Sequence, residues 1–292
     1  MKNLITLMAV AGLVLALAPA AQAADVTWTG GGVDPDGWDT TSLNWNAGAA
    51  TFSNGDTAIF DGTSAQLVID LTANRTPEAV ADGVTVSGAI DQEFTGSGII
   101  GGTGLTKLGT GTLTLSNTGN AYSGGTFFGI TGIKHEGTIV ATKADSLGAG
   151  DVFNAVSTIN DGQPTLRLQN AANTTWINNF EKLGSSKDGR FFTIDVGGGG
   201  AAGTTHTFGN LTESVGGELR LKFTGNEGYD LNVGAISVKH QLDMTSEMDG
   251  ELTIASVTSP GSSRTLNFYG SWDAGSAEIM TVTGDVNLTA LH

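Results

Sequence analysis

The chain has 292 residues, no cysteine, and 29 acidic against 13 basic side chains, a net charge of −16 with histidine neutral. Without cysteine there is no disulfide, no thiol nucleophile, no lipid-modified amino-terminal cysteine and no cysteine zinc site. An acidic surface repels nucleic acid and anionic lipid, and no basic cluster interrupts it, so no nucleic-acid partner is expected.

Lys2 gives a positive start, Leu4 to Ala18 is almost wholly apolar, and Ala21-Gln22-Ala23 is a small-residue cleavage pattern. That order predicts a secretory signal peptide over residues 1–23 of a bacterial protein, cut before Ala24. The apolar run of about 15 residues falls short of the roughly 20 that span a bilayer; a retained signal anchor is the alternative. Nothing after Ala24 resembles a membrane span. Loss of Lys2 with the leader brings the net charge to −17.

The stretch from Ala24 to Gly62 carries Trp28, Trp38 and Trp45 with Phe52 and Phe60. It is rich in loop residues and is expected to cap the fold that follows, because the first unit of a stacked array has no neighbour above it. Asp34, Asp36 and Asp39 crowd one loop with Gly37. Close hard oxygens suit calcium, but the order lacks the register and the bidentate glutamate of an EF-hand, so a solvated loop is the expectation. The tryptophans are expected to pack inward; a sugar-stacking platform is the other use for them.

From residue 63 to 292 strand-like segments alternate with Gly, Asn, Asp and Ser, and apolar residues at helical spacing never persist for three turns. Apolar pairs two residues apart mark the buried face of a strand. They fall at Leu113/Leu115, Ile139/Ala141, Leu166/Leu168, Phe192/Ile194 and Leu219/Leu221, with first members 26, 27, 26 and 27 residues apart. A second family lies between them, at 127–133, 152–159, 176–183, 207–212 and 231–238. Beyond Leu221 the period loosens through Leu242/Met244, Leu266/Phe268 and Val286/Leu288, with Leu252/Ile254 as an extra strand. A repeat of this length predicts an all-β, parallel β-helix solenoid of roughly nine coils, in which Leu113, Ile139, Leu166, Phe192 and Leu219 share one interior column. An antiparallel β-sandwich is the competing fold. It would place turns every 8 to 12 residues or so without long-range registry.

Residues 103–150 carry a longer pattern. It opens with Gly104-Leu105-Thr106-Lys107-Leu108-Gly109-Thr110-Gly111-Thr112-Leu113-Thr114-Leu115 and turns at Tyr122-Ser123-Gly124-Gly125-Thr126. Gly137-Thr138-Ile139 and Leu147-Gly148-Ala149-Gly150 complete it. This resembles the autotransporter-associated β-strand repeat, also called the passenger-associated transport repeat; His135-Glu136 is a departure from it. Trp28-Thr29-Gly30-Gly31, Asn44-Trp45 and Gly55-Asp56-Thr57-Ala58-Ile59-Phe60 look like the head of such proteins. The resemblance implies a right-handed parallel β-helix that aids secretion, in an extracellular or surface-displayed protein. It also implies a carboxy-terminal membrane barrel, whereas Asp285 to His292 reads as mid-strand. The sequence is therefore either a fragment or that of a protein exported by another route.

No catalytic, cofactor-binding or metal-ligating residue is predicted. Gly101-Gly102-Thr103-Gly104-Leu105-Thr106 lacks the Gly-Lys-Ser/Thr of a phosphate loop, and Gly197 to Gly200 reads as a corner. His135, His206, His240 and His292 have no zinc spacing. Stacking could bring outward acids such as Asp195 and Glu218 together, as a glycosidase would require, but an acidic solenoid produces such pairs by chance. The expectation is a non-enzymatic passenger or stalk, secreted or on the cell surface, meeting an extracellular ligand such as a glycan or a cell-surface component. The alternative is a β-helix that binds or cleaves polysaccharide.

Overall fold

A computed structural model describes residues 23–78, 83–102, 104–117, 119–130, 136–155, 162–183, 191–213, 215, 217–259, 265–270, 280–283 and 286–288. The leader before Ala23, His135 and His292 lie outside the described residues. So do parts of the strand-like stretches at 127–133 and 152–159.

The described residues are all-β apart from one short 3₁₀ turn, and their strands form two long parallel sheets. The first sheet stacks Asp25–Thr27, Thr57–Phe60, Val84–Val86, Leu105–Lys107, Thr126–Phe128, Val152–Asn154, Phe180–Lys182 and Leu211–Glu213 in that order. The second stacks Val68–Asp70, Gln92–Thr95, Thr112–Leu115, Thr138–Ala141, Thr165–Gln169, Phe192–Gly197, Glu218–Gly225, Gln241–Met248 and Thr265–Gly270. The chain passes from one sheet to the other and back, and each return pairs in parallel with the strand laid down one passage earlier. Between named strands every ladder among the described residues is parallel, which removes the antiparallel sandwich.

Two-residue alternation produces the buried interior. In Thr112–Leu115 and Thr165–Gln169 the leucines are buried while Thr and Arg face out. Down the second sheet, Leu113 pairs with Ile139, Ile139 with Leu166, Leu166 with Ile194 and Ile194 with Phe223. The column expected from sequence holds through Leu166 and then departs. Phe192 opposes Leu221, and Leu219 opposes Leu242. True spacings along the column are 26, 27, 28 and 29 residues. A shift of two residues leaves every side chain on its own face, so alternation alone cannot detect it.

Val286–Leu288 is also placed differently from expectation: it joins the first sheet beside Val257–Ser259. Leu252–Ser259 is a first-sheet strand as well, paired with Asp230–Ser237. The latter is long because it receives two shorter strands end to end. Thr205–Phe208 lies along its first half and Leu211–Glu213 along its second.

Corners are held by side chains as much as by turns. Gly88 and Gly109 both have positive φ, +97° and +72°, and a Cβ on Gly109 would sit 2.2 Å from the Gly88 carbonyl oxygen. Only glycine allows that stacking. Along the first sheet, Asp151 Oδ1 accepts from the Asn179 amide at 3.1 Å. Asn179 Oδ1 then accepts from Asn210 N at 3.0 Å, and Asn210 Oδ1 from Ala235 N at 2.9 Å. Each carboxamide thus satisfies a main-chain donor one passage away.

Candidate functional site

At the head, Trp28, Trp38, Trp45, Phe52 and Phe60 are fully buried. Their rings meet mostly edge-to-face at 5.0–5.8 Å, and Phe94 continues the cluster 4.9 Å from Phe60. The tryptophans are therefore core and present no sugar-stacking face. Trp38 N donates to Asp70 O and Asp70 N to Asp36 O, so residues 36–38 occupy the outer edge of the first second-sheet strand. Thr27 N donates to Asn46 Oδ1 at 2.9 Å on the other sheet.

The aspartate loop is pinned by Asn44, which is fully buried. Its Nδ2 donates to the oxygens of Asp34 and Gly37 at 2.6 and 2.8 Å, and its Oδ1 accepts from Gly32 N at 2.6 Å. Burial raises the Asp39 carboxyl, but hydrogen bonds from Ser42 and Thr41 outweigh it and hold the group below the usual carboxylate range. The Asp34 carboxyl moves the other way, raised chiefly by its side-chain hydrogen bond to Asp36. Among the described residues no group of three acidic or histidine side chains is placed to hold a metal. An open cleft of about 740 Å³ lies beside the loop, lined by Gly31, Asp34, Asp39, Thr41, Ser42 and Leu43 among others. The exposed side chains of Val33 and Leu43 are its apolar part.

The glycine runs are structural. Gly101 and Gly102 precede a strand at Leu105, not a helix. Gly200 N donates to the Tyr229 hydroxyl, and Gly199 N to Glu227 at 3.1 Å. The repeat-like residues pack on one another. Tyr122, whose burial raises its hydroxyl pKa, bonds Thr126 Oγ1 at 2.8 Å, and Thr126 Oγ1 donates to Leu147 O at 3.2 Å. A Cβ on Gly148 would lie 2.6 Å from Tyr122 O, so the spacing of these residues is a packing requirement.

Asp195 and Glu218 are not brought together. Slippage of the register places Asp195 opposite Thr224 and Glu218 opposite Gln241. Asp195 instead contacts Arg167 at 3.3 Å and accepts from Thr224 Oγ1 at 2.6 Å. Glu218 and Asp243 share Arg220, at 2.7 and 3.1 Å, and Lys222 meets Glu247 at 2.6 Å. Asp195, Asp243 and Glu247 are thus engaged by cations on neighbouring strands, and Glu218 by Arg220 on its own.

Sequence reasoning missed an interior polar column on the first sheet. Lys107, Asn154, Lys182 and Glu213 are all buried. Register runs from Lys107 through Phe128 to Asn154, Lys182 and Glu213. Burial pushes the Lys107 ammonium down to about 8 despite Asp91 nearby, and its Nζ donates to Leu108 O at 2.6 Å. Glu213 accepts from the amides of Lys239 and His240 at 2.8 and 3.0 Å, and its other oxygen lies 3.3 Å from His240 Nδ1. His206 is also buried, packed against Trp176 and Tyr229. Desolvation lowers its pKa, so it is a core imidazole.

Compared with known proteins, the chain matches no family model, no curated protein and no solved structure.

Proposed function

We propose that the passages close into a right-handed parallel β-helix and that this is an exported, non-enzymatic passenger or stalk of the cell surface. Residues 24–62 form its amino-terminal cap. The observation that carries the proposal is the use of the outward side chains. Arg167, Arg220 and Lys222 neutralise Asp195, Asp243 and Glu247 across neighbouring strands, and Arg220 also pairs with Glu218 on its own strand, which ties the outer face together and leaves those acids committed. The amino-terminal leader pattern and the likeness of residues 103–150 to an autotransporter-associated repeat support display outside the cell.

The head cleft favours a second reading, glycan binding, because it joins the hydroxyls of Thr41 and Ser42 to exposed apolar side chains. Cleavage is less supported there, since Asp39 is held by Thr41 and Ser42. The test is expression of the natural gene followed by fractionation and assay of the recovered protein on acidic and neutral polysaccharides. Protein outside the cytoplasm beginning at Ala24, with no turnover, is expected. Retention of Met1 in the cytoplasm, or turnover abolished by one carboxylate-to-amide substitution, would overturn the proposal.

A further inference from the structure

The first strand of the first sheet starts one residue after Ala24, and a preset carboxylate meets the main chain there. Asp25–Thr27 runs parallel to Thr57–Phe60 with Asp25 opposite Thr57, and Thr57 N donates to Ala24 O at 2.9 Å. Ala24 N in turn donates to Asp56 Oδ1 at 3.1 Å. A closed turn fixes that side chain: Asp56 N donates to Ser53 O at 3.0 Å, and Ser53 N to Asp56 Oδ2 at 2.8 Å. Two more acidic residues stand beside it. Asp25 adjoins Ala24 in the chain, and Glu78 N donates to Asp56 O at 3.0 Å while the Glu78 carboxylate accepts from Thr57 Oγ1 at 3.3 Å. Within the uncut chain Ala24 N is a neutral amide. A cut before Ala24 turns the same atom into an ammonium, charged at neutral pH because an α-amine has a pKa of about 7.7–8.0. Hydrogen bonds between charged groups are stronger than neutral ones.

We propose that Asp56 is the seat of the mature amino terminus, so that leader removal locks the first strand onto the head through an Ala24 ammonium–Asp56 ion pair. This rests on the export reading above and on its cut before Ala24. The anchored strand leads directly into Trp28, which is buried against Trp45 and Phe60. The pair therefore holds the strand that closes the aromatic head. The precursor, with an uncharged amide at that point, is the looser form, and processing makes the tighter one. Ala24 is exposed, so the gain is modest.

Chains starting at Ala24 and at Ala21, each made with and without Asp56→Asn, test this by urea unfolding at neutral pH. The Ala24 start should have an unfolding constant about two- to fivefold lower than the Ala21 start. Asp56→Asn should erase that difference. So should about 1 M sodium chloride, which screens an exposed pair, or a pH of about 9.5, where the amine is neutral. Equal constants for the two starts refute the pair, and so does a difference that survives Asp56→Asn. Should Asp56→Asn prevent folding, the two unsubstituted chains still decide: a difference that persists at about pH 9.5 refutes the pair, and its loss supports it. These outcomes leave the export reading untouched, since that is judged by sequencing the amino terminus of the protein recovered outside the cell. A natural start other than Ala24 would overturn the processing step even if the Ala24 start made for the test is stabilised.

Discussion

Leu166 offers the sharpest test of the interior column. It is fully buried, with Ile139 on one side and Ile194 on the other along the ladder. Truncating a buried leucine costs about 2–5 kcal/mol. Leu166→Asp adds a carboxylate with no hydrogen-bond donor, so the loss should reach at least about 4 kcal/mol, a large part of a typical stability of about 5–15 kcal/mol. Thr165 faces out between Thr138 and Thr193, and Thr165→Asp should change stability by within about 0.5 kcal/mol. Arg167 also faces out, but it lies opposite Asp195. Arg167→Asp replaces an attraction by two facing carboxylates and should cost about 1 kcal/mol. Urea unfolding of the three variants should rank them Leu166, Arg167, Thr165 in decreasing loss. Equal losses at all three positions would refute the alternation, and a Thr165→Asp loss as large as that at Leu166 would put the wrong face inside.

Lys107→Met should stabilise the protein near neutral pH. The folded-state pKa is depressed from 10.5 to about 8, so the unfolded chain holds the proton more tightly and about 3 kcal/mol present above the unfolded value is lost as pH falls to 8. The wild-type chain should therefore gain stability relative to the variant between pH 8 and 10.5, and parallel pH profiles would refute the assignment. Asn44→Leu should strip three main-chain groups of the aspartate loop of their partners and cost about 2–4 kcal/mol. Hydrogen exchange should then quicken at Gly32 but not at Leu166; unchanged exchange at Gly32 would contradict the pinning role.

The all-β class and the parallel stacking of strands were legible because they depend on two local signals, face alternation and recurrence. Leu113, Ile139 and Leu166 announce both, and these three are register neighbours. The failure begins where strands lengthen, from four residues at Thr138–Ala141 to eight at Glu218–Gly225. A long strand offers several equivalent inward positions, and Phe192, Ile194 and Val196 all qualify. Which one stacks on Leu166 depends on how the preceding corner is wound, and the corner residues carry no periodicity. The Asp151–Asn179–Asn210 ladder shows the same limit. Its residues look like ordinary turn formers, and only the stacking reveals that each one serves the amide of the next passage.

The interior polar column had a signal, though one that points against intuition. Lys107, Asn154, Lys182 and Glu213 each follow a buried apolar residue by two positions, after Leu105, Val152, Phe180 and Leu211. Alternation therefore puts all four inside. Polarity argues for the surface, and at a strand end next to a corner polarity ordinarily wins, because the last residue can turn outward. These residues stay inside because the corners supply partners. Leu108 O accepts from Lys107, and the amides of Lys239 and His240 donate to Glu213. Each of the four would be costly to bury without such bonds. Outward acids such as Asp195 and Asp243 instead meet cations on neighbouring strands, so the two faces of the sheets satisfy their charges by different means.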